Sequence, residues 1–434
     1  MSKLFKSISI ALLASVLFAG CEKPGTTLQK TPEPTASTAP LQTSEPSPQE
    51  QSAKASDQAI TLPLLDALLA DESFATDART KAGLSDEQLQ KLKDRARNDV
   101  LKMNEDDSDS RSTREASIKA EKAVREILGE DKGKKFIAFV QQQLASENRE
   151  IITAAPNEVP TDTRIVVNAP EYRMDVFQDG KLIKTYKVGI GYPEFPLPTG
   201  LRKATDIIFN PAWTPPDEPW VKGKFKPFKK VEAGSKDNPL GIAKVPIGPP
   251  NLIHGGKAAG RLGKFASHGC VGLTDALMHD FLLTLADISG TELTDADIKD
   301  IQKDRDKTAE VKLADSIPVE LRYETIVVEN GTLRIFRDVY EHGTNTEENL
   351  RKVLDAYDVS LDSLPDADRQ KILQGLDRMA RDAQGNPVTS QSSDENTNSN
   401  SARVTKNTKG PTDLSFPIAA LAGKGYPLPL DVKR

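Results

Sequence analysis

Two histidines and one cysteine have the types and spacing of a nucleophilic site. His254 follows the apolar run PPNLI, and His268 and Cys270 both lie in the stretch FASHGCVGL. A cysteine attacks as its thiolate, and a neighbouring imidazole can take the proton that the thiol loses. We therefore expect His254 to lower the pKa of the Cys270 thiol.

The residues around these side chains fit the same chemistry. The segment GGKAAGRLGKFAS between the histidines is rich in glycine, which favours a mobile flap or a close approach of the backbone to a ligand. Gly269 leaves room for backbone amides to point at one place, where they could stabilise an oxyanion. A helix expected from Thr274 would direct the positive end of its dipole to that place. The pattern indicates acyl transfer or hydrolysis.

The other cysteine, Cys21, has a different context. It follows a basic start, a short apolar run and two small residues, which is the pattern of a secretory signal. LFAGC resembles the lipobox of bacterial lipoproteins, with Phe18 where Leu is usual, and plain secretion is the alternative. If Cys21 carries lipid, Cys270 has no partner for an intramolecular disulfide, which favours a reactive thiol over an inert buried one.

The overall composition argues against two classes of function. With 2 cysteines and 4 histidines, the chain has few soft ligands for a zinc site. A net charge of −6 argues against a nucleic-acid binder. A length of 434 residues predicts two or three domains.

Composition and periodicity divide the chain into segments, and the predicted fold class is α+β. We predict a signal peptide at 1–20, a disordered tether at 21–57, a helical domain at 58–155, a β-rich domain at 160–342, a helical annex at 343–384, a disordered linker at 385–412 and a C-terminal tail at 413–434. The tether and the linker are polar and contain almost no large apolar residues, so they cannot bury enough surface to become ordered.

Local signals predict individual elements within these segments. Ser85 and Gln88 have the spacing of a helix capping box. Asp179-Gly180 and Asn330-Gly331 each separate two strand-like runs and predict hairpins. Thr294 is expected to cap a second helix after the one that begins near Thr274.

The arrangement of His254, a Gly-rich loop and then Ser267-His268-Gly269-Cys270 resembles the L,D-transpeptidase catalytic domain of bacteria, also called the YkuD domain. LPTG, FNPAWTPP, NPLG and RYETIVVENGTLRIFRDVY fit the same family, so the resemblance covers residues 160–342. The helical regions outside it are similar to those of larger murein-type members. The resemblance implies a β-sandwich-like catalytic domain that needs no metal or organic cofactor.

The resemblance implies an acyltransferase that acts on the stem tetrapeptides of peptidoglycan. Cys270 would attack the bond after the third residue, release D-alanine, and pass the acyl group to an amine of another stem or of a protein. His254 would be the general base, the backbone at His268, Gly269 and Cys270 would form the oxyanion hole, and Ser267 would support the turn. A hydrolase or carboxypeptidase of the same fold, and a non-catalytic wall-binding scaffold, are the alternatives.

The sequence departs from the family pattern at Gly272, where Arg or Asn is usual. Lys257, Arg261 or Lys264 could supply the missing positive charge, unless all three are solvated loop charges. Arg261 is favoured because a guanidinium can hold a carboxylate with two hydrogen bonds. Two aromatic residues, Trp213 and Tyr192, are candidates for substrate contact, although both could instead anchor loops.

The expected location follows from Cys21. A lipidated Cys21 followed by Glu22 rather than Asp predicts the periplasmic face of the outer membrane, with a secreted periplasmic protein as the alternative. The expected partners are peptidoglycan stem peptides, a protein amine as a further acceptor, and the membrane through the lipid anchor.

Overall fold

The structure is a computed structural model, and it describes residues 59–100, 103–104, 112–145, 155–213, 230–388, 402–403 and 405–430. All of these residues belong to one unit of the chain, Ser47–Arg434. The predicted signal peptide, the lipidation site Cys21 and the tether at 21–57 lie outside the described residues, so they stay predictions.

The N-terminal region is helical, as predicted. It contains the helices α1 (Leu62–Leu69), α2 (Glu72–Thr80), α3 (Asp86–Val100), α4 (Thr113–Leu128) and α5 (Glu130–Ala145), with a two-residue strand β1 (Met103–Asn104) between α3 and α4. Apolar residues recur at helical spacing, and the resulting faces pack into a hydrophobic core of their own. The predicted capping box is present, since Ser85 and Gln88 exchange hydrogen bonds from backbone to side chain, both at 3.2 Å.

A main sheet forms the β-rich part. The strands of this part are β2 (Arg164–Asn168), β3 (Arg173–Gln178), β4 (Lys181–Lys187), β5 (Ile190–Gly191), β6 (Gly200–Phe209), β7 (Ala243–Pro246), β8 (Leu252–His254), β9 (Phe265–Ser267), β10 (Val271–Gly272) and β11 (Ala309–Arg322). Eight strands form the sheet in the order β10-β8-β7-β6-β11-β2-β3-β4, while β5 pairs with β9. Neighbouring strands are antiparallel except for two parallel pairs, β8 with β10 and β2 with β11. The parallel pair β8–β10 lies at one edge of the sheet.

Two helices after β10 pack on the core of this sheet. They are α6 (Asp275–Ile288) and α7 (Asp295–Ile301), and Thr274 and Thr294 cap them as predicted. Phe281 and Leu285 of α6 are fully buried, and the Phe281 ring meets the Tyr186 ring edge-on at 5.8 Å. The first turn of α6 therefore has a fixed position relative to β10.

The C-terminal part has a separate hydrophobic core. It contains the predicted hairpin of β12 (Ile326–Glu329) and β13 (Thr332–Phe336), the helices α8 (Glu347–Asp355) and α9 (Asp366–Met379), and the late strands β14 (Ala402–Arg403) and β15 (Asp413–Pro417). β15 pairs antiparallel with β13, and β14 pairs with β1. Pairing with β15 covers an edge of β13 that would otherwise be open to association.

A buried ionic cluster attaches the chain after β15 to the main sheet. Arg173, at the start of β3, is 5% exposed, and its Nε lies 2.8 Å from Asp175 Oδ2. Its Nη1 pairs with Glu329, and its Nη2 donates a hydrogen bond to the carbonyl of Pro427 at 3.0 Å. The carboxylates compensate the charge of the buried guanidinium, and the Pro427 carbonyl accepts one more of its N–H groups.

Part of the predicted disordered linker is packed against the body of the protein. The Thr405 amide donates to the Glu194 carboxylate at 3.3 Å, and the hydroxyl oxygens of Thr408 and Tyr172 lie 3.2 Å apart. Residues 405–412 are therefore ordered, whereas the sequence predicted disorder. Their polar groups can be buried because they form hydrogen bonds with groups of the protein body. Residues 389–401 lie outside the described residues.

Candidate active site

The strand register brings His254 and Cys270 to the same sheet edge. His254 ends β8, and Cys270 immediately precedes β10, the parallel neighbour of β8. Gly272 pairs with His254 in this register, and Val271 pairs with Ile253. The two residues assigned to proton transfer and attack therefore come from adjacent strands.

His254 is held in one tautomer. Its ring is buried, and Nδ1 lies 2.7 Å from the carbonyl oxygen of Gly255. A carbonyl can only accept a hydrogen bond, so Nδ1 carries the proton and Nε2 is the basic nitrogen. Burial, assisted by the positive charges of Lys257 and Lys244, lowers the pKa of His254 to about 3. The imidazole is therefore neutral at neutral pH and can accept a proton.

The pKa of Cys270 shifts in the direction opposite to the one expected from the sequence. Burial raises the pKa of this thiol above its ordinary value, although the Leu252 amide and the charges of Lys257 and Lys244 act against the shift. Desolvation wins because it disfavours the charged thiolate. The resting site therefore holds a neutral thiol and a neutral imidazole at neutral pH.

Ser267 closes the turn that carries the cysteine. Its Oγ accepts a hydrogen bond from the Cys270 amide at 2.9 Å and donates one to the Cys270 carbonyl at 2.5 Å. Gly269 has a φ of 94°, which favours glycine, and its carbonyl accepts a hydrogen bond from Asn251. The Cys270 amide is thus already engaged, whereas the Gly269 amide donates no backbone hydrogen bond within the described residues. The Cys270 amide is bound to Ser267 Oγ in this structure, and the oxyanion role expected for the turn stays a prediction.

His268 is an aromatic packing element of the turn. Its ring meets the rings of Tyr192 and Phe195 edge-on, with centroids 5.0 Å and 4.6 Å away. Burial, followed by the charge of Lys257, lowers the pKa of His268 to about 3. A ring clamped between two aromatic residues orients the backbone of the turn.

Lys257 is the cation whose side chain lies over Gly272. A Cβ built on Gly272 would come within 2.8 Å of both Cγ and Cε of Lys257. The backbone amide of Lys257 donates to the Leu273 carbonyl at 3.0 Å, which fixes the start of the side chain. Lys257 therefore occupies the space that a side chain at position 272 would need.

Arg261 is directed elsewhere in the same loop. Its Nη2 donates to the Phe265 carbonyl and lies 3.4 Å from the Tyr192 hydroxyl. Lys264 is exposed. Of the three candidate cations, Lys257 is thus the one beside β10.

Two positioning residues were missed from the sequence. Asn251 holds the Gly269 carbonyl, and Asp275 Oδ1 accepts hydrogen bonds from the amides of Gly256 at 2.8 Å and Ile242 at 3.1 Å. Asp275 leaves so little space that a Cβ on Gly255 would lie 2.5 Å from its Oδ1. The available signal was position, since Asn251 lies three residues before the histidine and Asp275 begins the helix after the cysteine.

The two aromatic candidates lie in different places. Tyr192 is 6% exposed and contacts the catalytic turn through His268. Trp213 exchanges backbone hydrogen bonds with Val231 at 2.9 Å and 2.7 Å, next to residues 214–229, which lie outside the described residues. Of the two, Tyr192 is the one that the structure connects to the turn.

Comparison with known proteins gives the family of this site. Residues 162–290 match the family model of the L,D-transpeptidase catalytic domain, YkuD. The match covers less than half of the chain and includes His254, Ser267 and Cys270. The α+β class, with a curled sheet of the L,D-transpeptidase type after a helical region, is confirmed. The comparison with curated proteins gives no match.

Solved L,D-transpeptidase structures match at low similarity. The catalytic domain of the Enterococcus faecium L,D-transpeptidase is 16% identical over 38% of this chain and 100% of that chain, with a TM-score of 0.25. L,D-transpeptidase 3 from Mycobacterium tuberculosis, in complex with a faropenem-derived adduct, is 16% identical over 37% of this chain and 60% of that chain, with a TM-score of 0.23. Two further chains are matched over 49% and 50% of their length, so the alignment spans about half of these relatives.

The described residues lack two further kinds of feature. None of their helices combines the length and the apolar character needed to cross a membrane. Nor do their His, Cys, Asp and Glu side chains form a group of three or more that could hold a metal ion.

Proposed function

We propose that the chain is an L,D-transpeptidase that cross-links peptidoglycan through a thioester at Cys270. The observation that carries the proposal is the placement of His254 at the end of β8 and of Cys270 immediately before β10, its parallel neighbour, within the segment that matches the family. The substrate is a stem tetrapeptide, and the leaving group is its terminal D-alanine.

Acylation begins with a proton transfer. Nε2 of His254 takes the Sγ proton as the sulfur attacks the carbonyl carbon of the third stem residue. The resulting oxyanion lies at the turn and accepts a hydrogen bond from the Gly269 amide. When the intermediate collapses, the C–N bond breaks, and the histidine returns its proton to the amine of D-alanine.

Deacylation repeats these steps with a second nucleophile. An amine of a neighbouring stem attacks the thioester carbonyl and His254 takes its proton. The C–S bond then breaks, and the Cys270 thiolate leaves and receives that proton back from His254. The product is a new amide bond between two stems. A protein amine can enter the same step, and water would make the enzyme a carboxypeptidase.

Lys257 is proposed to bind a carboxylate of the stem peptide. The methylene groups of the Lys257 side chain cover Gly272, where the family usually places Arg or Asn. Its positive charge also acts towards lower pKa values of His254, His268 and, against the larger effect of burial, Cys270, so the ammonium group is close enough to interact with all three. An ammonium group can neutralise a carboxylate, although without the two parallel hydrogen bonds of a guanidinium.

Location at the outer membrane belongs to the same proposal. A lipid on Cys21 would anchor the protein, and a polar segment of the composition found at 21–57 would let the catalytic part reach the wall. Support comes from the sequence alone.

A purified tetrapeptide muropeptide tests the reaction. Incubation with the full chain should give a product with the mass of a dimer less one alanine, and Cys270→Ala should give none. Loss of alanine without dimers would indicate the carboxypeptidase, and an unchanged substrate would favour the scaffold.

A further inference from the structure

Residues 191–195 form a loop that directly contacts the turn at residues 267–270, called the catalytic turn below. The Tyr192 amide donates to the Ser267 carbonyl at 2.9 Å, and the rings of Tyr192 and Phe195 clamp His268. A Cβ on Gly191 would lie 3.1 Å from the Cα of Gly269. The loop and the turn are therefore in backbone contact, so a displacement of one moves the other.

The helical region holds the other side of this loop through two threonines. Thr113, the first residue of α4, donates its hydroxyl to the Pro193 carbonyl at 2.7 Å. Thr61, the residue that caps α1, donates its hydroxyl to the Glu194 carbonyl at 2.8 Å. Both threonines are fully buried. Two helices thus meet consecutive carbonyls of the loop.

The chain before β15 adds a third contact to the same loop. The Glu194 side chain is fully buried and accepts hydrogen bonds from the Thr405 amide at 3.3 Å and from the Thr405 hydroxyl at 3.2 Å. The buried groups at residues 193 and 194 are therefore satisfied by residues far away in sequence. A buried acceptor that loses its donor is costly, so without these threonines the loop would relax towards water.

We infer that the helical region positions the catalytic turn, with Thr61 and Thr113 acting as positioning residues through the 191–195 loop. The expected effect on kcat rests on the proposed function, whereas the expected effect on hydrogen exchange does not. It gives the helical region a role in catalysis, because the geometry of the Gly269 amide depends on the loop that these threonines hold. A misplacement of such a group reduces the rate far more than it reduces binding.

Valine substitutions in the full chain test the inference. Thr61→Val and Thr113→Val keep the side-chain shape but remove the donor, whereas Thr61→Ser and Thr113→Ser keep the hydroxyl. Thr76→Val is the matched control, since the Thr76 hydroxyl donates to the Glu72 carbonyl at 2.8 Å on an exposed helix surface.

Hydrogen exchange reports on the turn without any substrate. In each valine variant the amides of Tyr192 and Cys270 should exchange about 3- to 10-fold faster, which is the effect of losing one hydrogen bond. The serine variants and Thr76→Val should exchange like the wild type. If Thr61→Val does not fold, because it also loses the cap of α1, Thr113→Val and Thr405→Val still measure the effect.

Steady-state kinetics separates positioning from general stability. With the tetrapeptide muropeptide, kcat should fall by a similar factor in Thr113→Val, while KM should change less than twofold. Unchanged exchange at Cys270 in the Thr61→Val, Thr113→Val double variant would overturn the inference, as would a normal kcat. If the wild-type protein shows no turnover while the valine variants still exchange faster than it at Cys270, the proposed function is rejected and the positioning role stands.

Discussion

The Lys257 side chain lies where a side chain at residue 272 would have to be, within 2.8 Å of the position of a Cβ on Gly272. The two residues therefore exclude each other. A larger residue at 272 would require Lys257 to leave its observed conformation. The cation proposed to bind the substrate carboxylate thus comes from the loop after β8 instead of from β10.

The first prediction concerns this lysine. Lys257→Met should raise KM for the stem peptide roughly 10- to 100-fold, the range expected for a hydrogen bond to a charged group. Arg261→Met is the control, because Arg261 is bound to its own loop, and its KM should stay within about twofold of wild type on the same scale. A larger effect at Arg261 than at Lys257 would reverse the assignment.

A positive charge added at residue 272 should not improve binding of the stem peptide while Lys257 is present. Gly272→Arg should raise KM because the new side chain overlaps Lys257, and adding Lys257→Ala should recover most of the loss. A double-mutant cycle in KM measures this coupling. Additive effects in the cycle would show that the two positions do not compete.

Turnover and free-thiol measurements should distinguish the role of Cys270 from that of His254. Cys270→Ala should abolish turnover, and His254→Gln should keep the free thiol but lower kcat by roughly 10²–10⁴, as expected for a lost general base. Thiol titration of the unfolded variants checks that Cys270 is intact. Wild-type turnover in Cys270→Ala would refute the mechanism.

Alkylation of Cys270 should be slow at neutral pH. Because burial raises the pKa of this thiol, little thiolate is present, and iodoacetamide should react more slowly with Cys270 than with N-acetylcysteine at pH 7. The rate should still rise above pH 9, the ordinary value. A rate that exceeds the reference thiol and levels off below pH 7 would restore the lowered pKa expected from the sequence.

Acid should weaken the fold through His254. The pKa of this imidazole is about 3 in the folded protein against an ordinary 6.5, so between these values the unfolded chain binds the extra proton. The free energy of unfolding should therefore fall as the pH falls from 6.5, by up to about 1.4 kcal/mol per pH unit for this group. Urea unfolding at pH 7.5 and pH 5 should show a smaller drop in His254→Gln. Equal drops in both proteins would mean that His254 titrates normally in the folded state.

Short-range signals predicted the local elements well. The hairpin at Asn330-Gly331 and the caps at Thr274 and Thr294 each depend on a few neighbouring residues, and the structure contains all of them. The order of His254, Ser267 and Cys270 was likewise enough to predict the family of the site.

Contacts between distant segments were not predictable in this way. The pairing of β13 with β15, and the burial of Glu194 against Thr405, join residues whose sequences carry no mutual signal. The pKa of Cys270 had the wrong expected sign for the same reason, because burial is a property of the whole fold. Arg261 as a substrate-binding residue stays a prediction, and its hydrogen bond to the Phe265 carbonyl is a contact that local sequence did not indicate.

The ion cluster at Arg173 has a consequence for the order in which the protein is completed. Synthesis runs from the N-terminus, so β3 emerges about 250 residues before Pro427, whose carbonyl is one of the partners of Arg173. Until residues 413–427 have been synthesised, that partner is missing and β13 lacks the strand that covers it. A chain truncated before residue 413 would therefore leave the Arg173 guanidinium without one hydrogen-bond acceptor and β13 with an open edge.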